Sequence, residues 1–279
     1  MSATVVAAGA GGGGAGSARY AFAGAAELAE AQLRALSETY DLFTLQRLAA
    51  TGVGRGWRCL EIGAGDGTLA RWLAGRVAPG GEVLATELDT AVDALRRRAG
   101  EEVRVLRHDI GRDPVPPGPF DLVHARLVLQ HVPNRREVLD RLHGALRPGG
   151  WLQIDEFDVS YGPVLLAPSA DAARLYERYL AAKAEVLGAA GARTVWGREV
   201  AGELAAAGFT EVDPQPRVAL WRAGHPGLAL QASHLRTLRE PLLAAGLTDR
   251  QLTEVADLLE HPGFAVCSPV WYSVQARRE

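Results

Sequence analysis

The 279-residue chain has one lysine, Lys183, two cysteines, one methionine and few aromatics, and each scarcity removes a class of function. Arginine supplies 29 of the 30 basic residues, a bias that reads, with the abundant alanine, as genome composition. No Gly-Lys-Ser/Thr follows a glycine loop, which excludes a phosphate-binding P-loop. Cys59 and Cys267 lie in apolar, strand-like runs, so no disulfide framework is expected and a reducing cytoplasm is the default. Neither Cys-x-x-Cys nor His-Glu-x-x-His occurs, which removes a dedicated zinc site, and no metal is expected. A net charge of -3 is wrong for a basic nucleic-acid surface. No apolar run approaches the roughly 18 residues that span a bilayer. Residues 1–17 are almost wholly Ala, Gly, Val and Ser, with glycine at 9 and 11–14 and no basic start, which reads as a flexible tail. The expectation is a cytoplasmic protein, monomer or homodimer, with a small-molecule partner and neither nucleic acid nor membrane. With 48% hydrophobic residues, 18–279 has ample material for a single core.

What is present centres on Cys59-Leu60-Glu61-Ile62-Gly63-Ala64-Gly65-Asp66-Gly67-Thr68. An apolar run over 57–62 breaks into three alternate glycines, and an amphipathic stretch over 68–77 follows: strand, tight turn, helix. The turn needs backbone angles that side chains forbid, and a ligand must lie directly on the main chain. Asp66 stands where an N-cap would. A dinucleotide fold would place its third glycine at Thr68, so the spacing Glu61-x-Gly63-x-Gly65-x-Gly67 does not fit that motif either.

Further strands are expected over 81–86, 103–107, 120–124, 151–157, from 208 on through 218–221, and over 264–274. Helices alternate with them, which makes the fold α/β with a seven-stranded sheet. Two helices, 25–37 and 41–50, precede the first strand, separated near 37–40. Glu87, 24 residues after Gly63 at the end of the second strand, is placed to accept from both ribose hydroxyls of a nucleoside, with Leu88 packed on its base. Asp89 reads as the cap of the helix that follows.

Taken with His108-Asp109-Ile110 and Phe120-Asp121-Leu122-Val123, this order of motifs resembles the class I methyltransferases that use S-adenosylmethionine (SAM), particularly actinobacterial enzymes that tailor natural products. The resemblance implies a Rossmann-like sheet with helices on both faces and a helical lid over the strand ends, formed by insertions 162–196 and 225–261 and by cap helices in 18–52. It implies that Glu61, Gly63, Gly65 and Gly67 surround the amino-acid end of SAM, Glu61 facing the ammonium group directly or through water. It also implies that Asp109 accepts from the adenine amino group and that the Ile110 N–H donates to the ring. Ala125 and Arg126 would lie beside the methionine part, Arg126 pairing with its carboxylate. The family's usual aspartate is replaced here by Glu87, which keeps the carboxylate.

The acceptor half is less defined. Glu156, Asp158 and Tyr161 leave the fifth strand where a substrate would meet the methyl group. The resemblance makes Tyr20, Phe22 and Tyr40 candidates for closing the site, while Phe22 and Tyr40 serve equally as staples of the helices to the core. Tyr20, Asp158 and Tyr161 are the candidate catalytic contacts, while His131 reads first as part of its loop and second as a base. Tyr161, Tyr176, Tyr179, Trp196 and Trp221 could line a lid for an aromatic acceptor, or serve as core. The same glycine turn and Glu87 would be kept by a SAM binder that catalyses a pericyclic step or acts as a regulator.

Overall fold

The computed structural model describes residues 5–6, 19–20 and 26–279. Two short strands, β1 (Val5–Val6) and β2 (Arg19–Tyr20), pair antiparallel. Phe22 and the side chain of Tyr20 lie outside the described residues, as does most of the expected tail. The long helix α1 (Ala26–Ala50) replaces the two helices expected. Residues 37–40 contain neither glycine nor proline, and Leu33, Leu36, Tyr40, Thr44 and Leu48 form one buried stripe through the supposed break.

The chain then alternates β3 (Arg58–Ile62), α2 (Thr68–Val77), β4 (Glu82–Glu87), α3 (Asp89–Ala99), β5 (Val103–Arg107), β6 (Phe120–Arg126), a 3-10 turn (Leu129–His131), α4 (Arg135–Ala145) and β7 (Leu146–Asp158). After β8 (Val164–Leu166) come α5 (Ala170–Ala189), α6 (Trp196–Ala206), β9 (Thr210–Arg217), β10 (Leu220–Arg222), α7 (Pro226–Thr237), α8 (Arg239–Ala244), α9 (Asp249–Glu260), β11 (Ala265–Cys267) and β12 (Val270–Arg277).

Seven strands form the main sheet in the order β5-β4-β3-β6-β7-β12-β9, parallel from β5 to β7, with β12 antiparallel to both its neighbours. The expected sixth strand ends at Arg217. Leu220–Arg222 instead joins β11 and β8 in a separate three-stranded sheet, so the stretch 264–274 is also divided between two sheets. Within the expected lid insertion 225–261, the stretch after Pro226 forms two helices, α7 and α8.

One face of the main sheet is covered by α4 and α6 over an apolar cluster that includes Leu60, Ile62, Ala125, Leu142, Trp196 and Val200. Leu73, Val77 and Leu95 pack with Cys59 in a second cluster that also takes Leu48 from α1. Strand side chains alternate in direction, so Glu61, which faces opposite to Leu60 and Ile62, shares its face with its register partner His124. Across β7 and β12 that face continues with Gln153, Asp155 and Gln275. All five are buried, and they meet α1 through a polar ladder. His124 lies between Glu61 Oε2, 2.8 Å from Nδ1, and Asp155 Oδ2, 3.3 Å from Nε2. Thr44 Oγ1 of α1 donates to Asp155 Oδ2 at 2.7 Å, and Gln275 donates to Gln153 at 2.8 Å. Among the described residues no helix is long and apolar enough to cross a membrane.

Candidate active site

The glycine turn connects β3 to α2 with Gly63, Gly65 and Gly67 at φ 66°, 59° and 78°, the left-handed region that explains why glycine recurs at alternate positions. At Gly63 there is a second constraint, because a Cβ would stand 2.5 Å from Val128 Cγ2. Gly67 is a packing position, where a Cβ would approach Leu95 Cδ1 to 3.0 Å and Ala99 Cα to 3.2 Å. Asp66 does not cap α2 from the N-cap position, which Gly67 occupies. Its Oδ1 accepts from Thr68 N–H at 3.0 Å and its Oδ2 from Ser37 Oγ of α1 at 2.9 Å. Burial pushes this carboxyl up, and the Thr68 and Ser37 bonds more than offset it, so it is held below the usual range.

Glu87 closes the turn from the end of β4. It is 3% exposed; Oε2 accepts from Gly65 N–H at 3.1 Å and Oε1 from Leu88 N–H at 2.9 Å. Glu61, Gly63, Gly65, Asp66 and Arg126 line one cavity, roofed by Leu33, Leu36 and Ser37 of α1. Arg126 also pairs with Asp41 at 2.6 Å. Carboxylates and a guanidinium around bare backbone suit a ligand end that carries both an ammonium and a carboxylate. The lining has no lysine and sets two carboxylates, Glu61 and Asp66, against one guanidinium, a balance that disfavours a phosphate. The amino-acid end of SAM has this pair of charges, so the residues present fit that group.

Several sequence candidates do not reach this cavity. Ala125 is fully buried in the apolar cluster, because its side chain projects from β6 to the face opposite His124 and Arg126. Asp109 is half-exposed; its Oδ1 accepts from Gly111 N–H at 2.9 Å, which shapes the turn after β5. Ile110 is buried and its carbonyl accepts from Arg141 at 2.7 Å. Leu88 is half-buried beside Glu87.

A second cavity lies among α1, α5, α7 and the ends of β6 and β7. Leu33, Leu36, Leu127, Phe157, Trp221 and Leu230 supply its apolar wall, and Gln130, His131, Lys183, Gln231 and His234 its polar part. Leu33 and Leu36 line both cavities, so the two share a wall. Asp158 and Tyr161 are not in it. Asp158 is ion-paired with Arg198 and accepts from Ser160 N–H at 2.9 Å; burial raises its carboxyl, but these partners hold it below the usual range. Tyr161 is 45% exposed. Trp196 belongs to the core beneath β7, Tyr176 and Tyr179 to the core among the lid helices, and Tyr40 stacks on Trp271 at 4.2 Å. Of the aromatics proposed for the lid, Trp221 lines the cavity.

His131 is neutral, since burial, with Arg135 nearby, pushes its pKa down to about 3, and it is a poor proton acceptor at physiological pH. Glu156 goes the other way: burial pushes its carboxyl up to about 8, while Oε1 accepts from Gln130 N–H at 3.2 Å at the start of the 3-10 turn. Lys183, Gln231 and His234 were not singled out as site residues from sequence. One signal existed, because Tyr176, Tyr179, Lys183 and Val186 recur at helical spacing, which puts a lysine on a buried helix face.

Residues 60–152 match the family model of a methyltransferase domain. Curated relatives include methyltransferase str3 of Strobilurus tenacellus, 36% identical over 117 residues, covering 42% of this chain and 41% of that protein. Acetylserotonin O-methyltransferase of Mus musculus molossinus is 36% identical over 141 residues, covering 47% of this chain and 36% of its own length. The chain thus spans about half or less of the length of these relatives. Among solved structures, a SAM-dependent methyltransferase of Aquifex aeolicus aligns over 91% of this chain and 97% of its own with TM-score 0.51 at 14% identity. A Bacillus halodurans protein classed as a methyltransferase aligns over 85% and 98% with TM-score 0.55 at 18% identity. The fold is therefore the Rossmann-like methyltransferase fold, with a seven-stranded mixed sheet.

Proposed function

We propose that this chain is a SAM-dependent methyltransferase for a small, largely apolar acceptor, an aromatic secondary metabolite in the sequence-based expectation. The observation that carries the reading is Glu87: a buried carboxylate at the end of β4, bonded to the Gly65 N–H of a turn whose cavity is lined by Glu61 and Arg126. Glu61, Gly63, Gly65 and Arg126 would hold the amino-acid end of the cofactor, and Glu87 its ribose. Leu88, Asp109 and Ile110 are the candidates for the adenine. The bound cofactor supplies a methyl group on a sulfonium that is already activated for transfer. The chain's contribution is to hold the two ligands in adjoining cavities and to keep water out, which is where most of the rate enhancement would arise. The α1 helix serves both purposes, since Leu33 and Leu36 border both cavities. Asp158 is tied to Arg198 and Tyr161 lies at the surface, both outside the lining of the second cavity.

Titration calorimetry tests the cofactor. S-adenosylhomocysteine should bind the wild-type chain, and NAD and ATP should not. Glu87→Ala removes up to two charge-assisted bonds and should weaken binding about a hundredfold. Wild-type affinity in this variant, or preference for a phosphate-bearing nucleotide, would refute the assignment.

A further inference from the structure

The cofactor site makes no use of Lys183, the one lysine of the chain, which points from α5 into the second cavity. It is 5% exposed, lies 5.5 Å from the centroid of the Tyr179 ring, and donates from Nζ to Gln231 Oε1 of α7 at 2.5 Å. That is its one hydrogen bond among the described residues, although an ammonium has three donors. No aspartate or glutamate is among the described residues lining the cavity. The titratable groups around it are His131 after β6, His234 on α7 and Tyr179 one turn earlier on α5. Burial holds His131 and His234 uncharged at neutral pH, pushes the Tyr179 hydroxyl up and pushes Lys183 down to about 7. A buried amine without a counter-ion is costly, and a methionine would fill the same space without that cost. A ligand anion would supply the counter-ion that the cavity lining lacks.

We propose that Lys183 is the proton-accepting and anion-holding end of the acceptor pocket, and that the acceptor is an apolar oxygen acid: a phenol, an enol or a carboxylic acid. On binding, a phenol or enol O–H bond breaks, a new N–H bond forms at the neutral Nζ and the electron pair stays on oxygen, so the pair remains neutral overall and nothing else is consumed; a carboxylic acid, already ionised in water, pairs with the ammonium form instead. The apolar wall of Leu36, Leu127, Phe157, Trp221 and Leu230 takes the body of the ligand. An amine acceptor, which would bring a second cation to a cavity without a carboxylate, is disfavoured. That the oxygen acid is the methyl acceptor rests on the methyltransferase reading, whereas the anion site itself does not.

The lone lysine makes the test direct. In the full chain labelled with 15N at lysine Nζ, a single side-chain amine signal reports the titration of Lys183. Saturating 2-naphthol or 1-naphthoic acid should move its midpoint upward by about one pH unit or more, while 1-naphthylmethylamine should leave it in place. The acid that moves it further identifies phenol or carboxyl as the preferred group. Lys183→Met should weaken binding of the preferred acid roughly ten- to a hundredfold. Gln231→Glu, which supplies a competing carboxylate beside Nζ, should weaken it in the same direction. A midpoint that responds to neither acid, or equally to the amine, overturns the proposal, as does wild-type affinity in both variants. Calorimetry with S-adenosylhomocysteine on the wild-type chain separates the two readings: no cofactor binding with an intact response of Lys183 removes the methyltransferase reading and leaves the anion site.

Discussion

Replacing His124 by leucine is expected to cost about 3–5 kcal/mol of stability at neutral pH, because two buried carboxylates lose the cation they share. His124 is fully buried and reaches Glu61 Oε2 at 2.8 Å and Asp155 Oδ2 at 3.3 Å. Burial alone would lower its pKa, but the Glu61 charge and the bonds to Asp155 and Glu61 outweigh it and raise it to about 9. At pH 7 the ring is therefore an imidazolium donating from both nitrogens. Without it Asp155 keeps Thr44 and Gln153, whereas the Glu61 carboxylate keeps no other hydrogen bond among the described residues. The pH dependence follows from the directions of these shifts. A histidine raised from 6.5 to about 9 stabilises fully below about 6.5, and the contribution fades as pH rises through 9. Asp155, held below 3.8, stabilises above that value and loses its contribution as pH falls through its folded pKa. The difference between wild type and variant in urea unfolding should thus be largest and flat between about pH 4 and 6.5 and shrink on both sides. Adding Glu61→Gln to the variant should recover part of the loss. A difference that stays constant into strongly alkaline solution would show that His124 acts through packing alone.

Gly197→Ala is expected to be damaging too, by a smaller amount and through a different mechanism. Gly197 lies in the first turn of α6, where a Cβ would stand 2.7 Å from the Phe157 carbonyl carbon and 2.8 Å from the carbonyl oxygens of Glu156 and Phe157. All three are main-chain atoms of β7, a strand paired on both sides, so the helix has to move instead. Such overpacking costs about 1–3 kcal/mol or more, which exceeds the gain of about 0.5–1 kcal/mol from replacing a helical glycine by alanine. The shift would displace Trp196 from the core and pull Arg198 from Asp158. Gly202, five residues on in the same helix, meets nothing within 4 Å of its Cβ position. Gly202→Ala should therefore be neutral or stabilising by up to about 1 kcal/mol, and equal melting temperatures for the two variants would refute the steric account.

The parallel half of the sheet and its glycine turn were legible because their signals are local: an apolar run, positive-φ glycines, then helical periodicity. Glu61, Glu87 and Arg126 came from the same reading, since a residue's place at a strand end fixes which edge of the sheet it reaches. The polar ladder was not legible. Glu61, His124 and Asp155 sit on three strands, and only the register between those strands makes them neighbours. Ala125 was misassigned to the cavity for a related reason, because a strand covered on both faces gives no alternation in sequence to say which way a residue points. The break expected in α1 arose from reading a polar Ser-Glu-Thr run as a boundary, although Leu36, Tyr40 and Thr44 carry the buried stripe across it. Lys183 was visible as a rarity, but its value depends on α7 supplying Gln231 and His234 from about 50 residues away.

The position of β12 has a consequence for how the protein is made. It lies between β7 and β9 and bonds to both, although more than 100 residues separate its start, Val270, from the end of β7, Asp158. While the chain is being synthesised, β7 therefore stays an open edge, and β9, which pairs only with β12 in the main sheet, stays outside it until residue 277 has left the ribosome. The nascent protein is in that interval a template for pairing with other chains, and its yield in the cell should depend on chaperones that shield that edge until the sheet is completed.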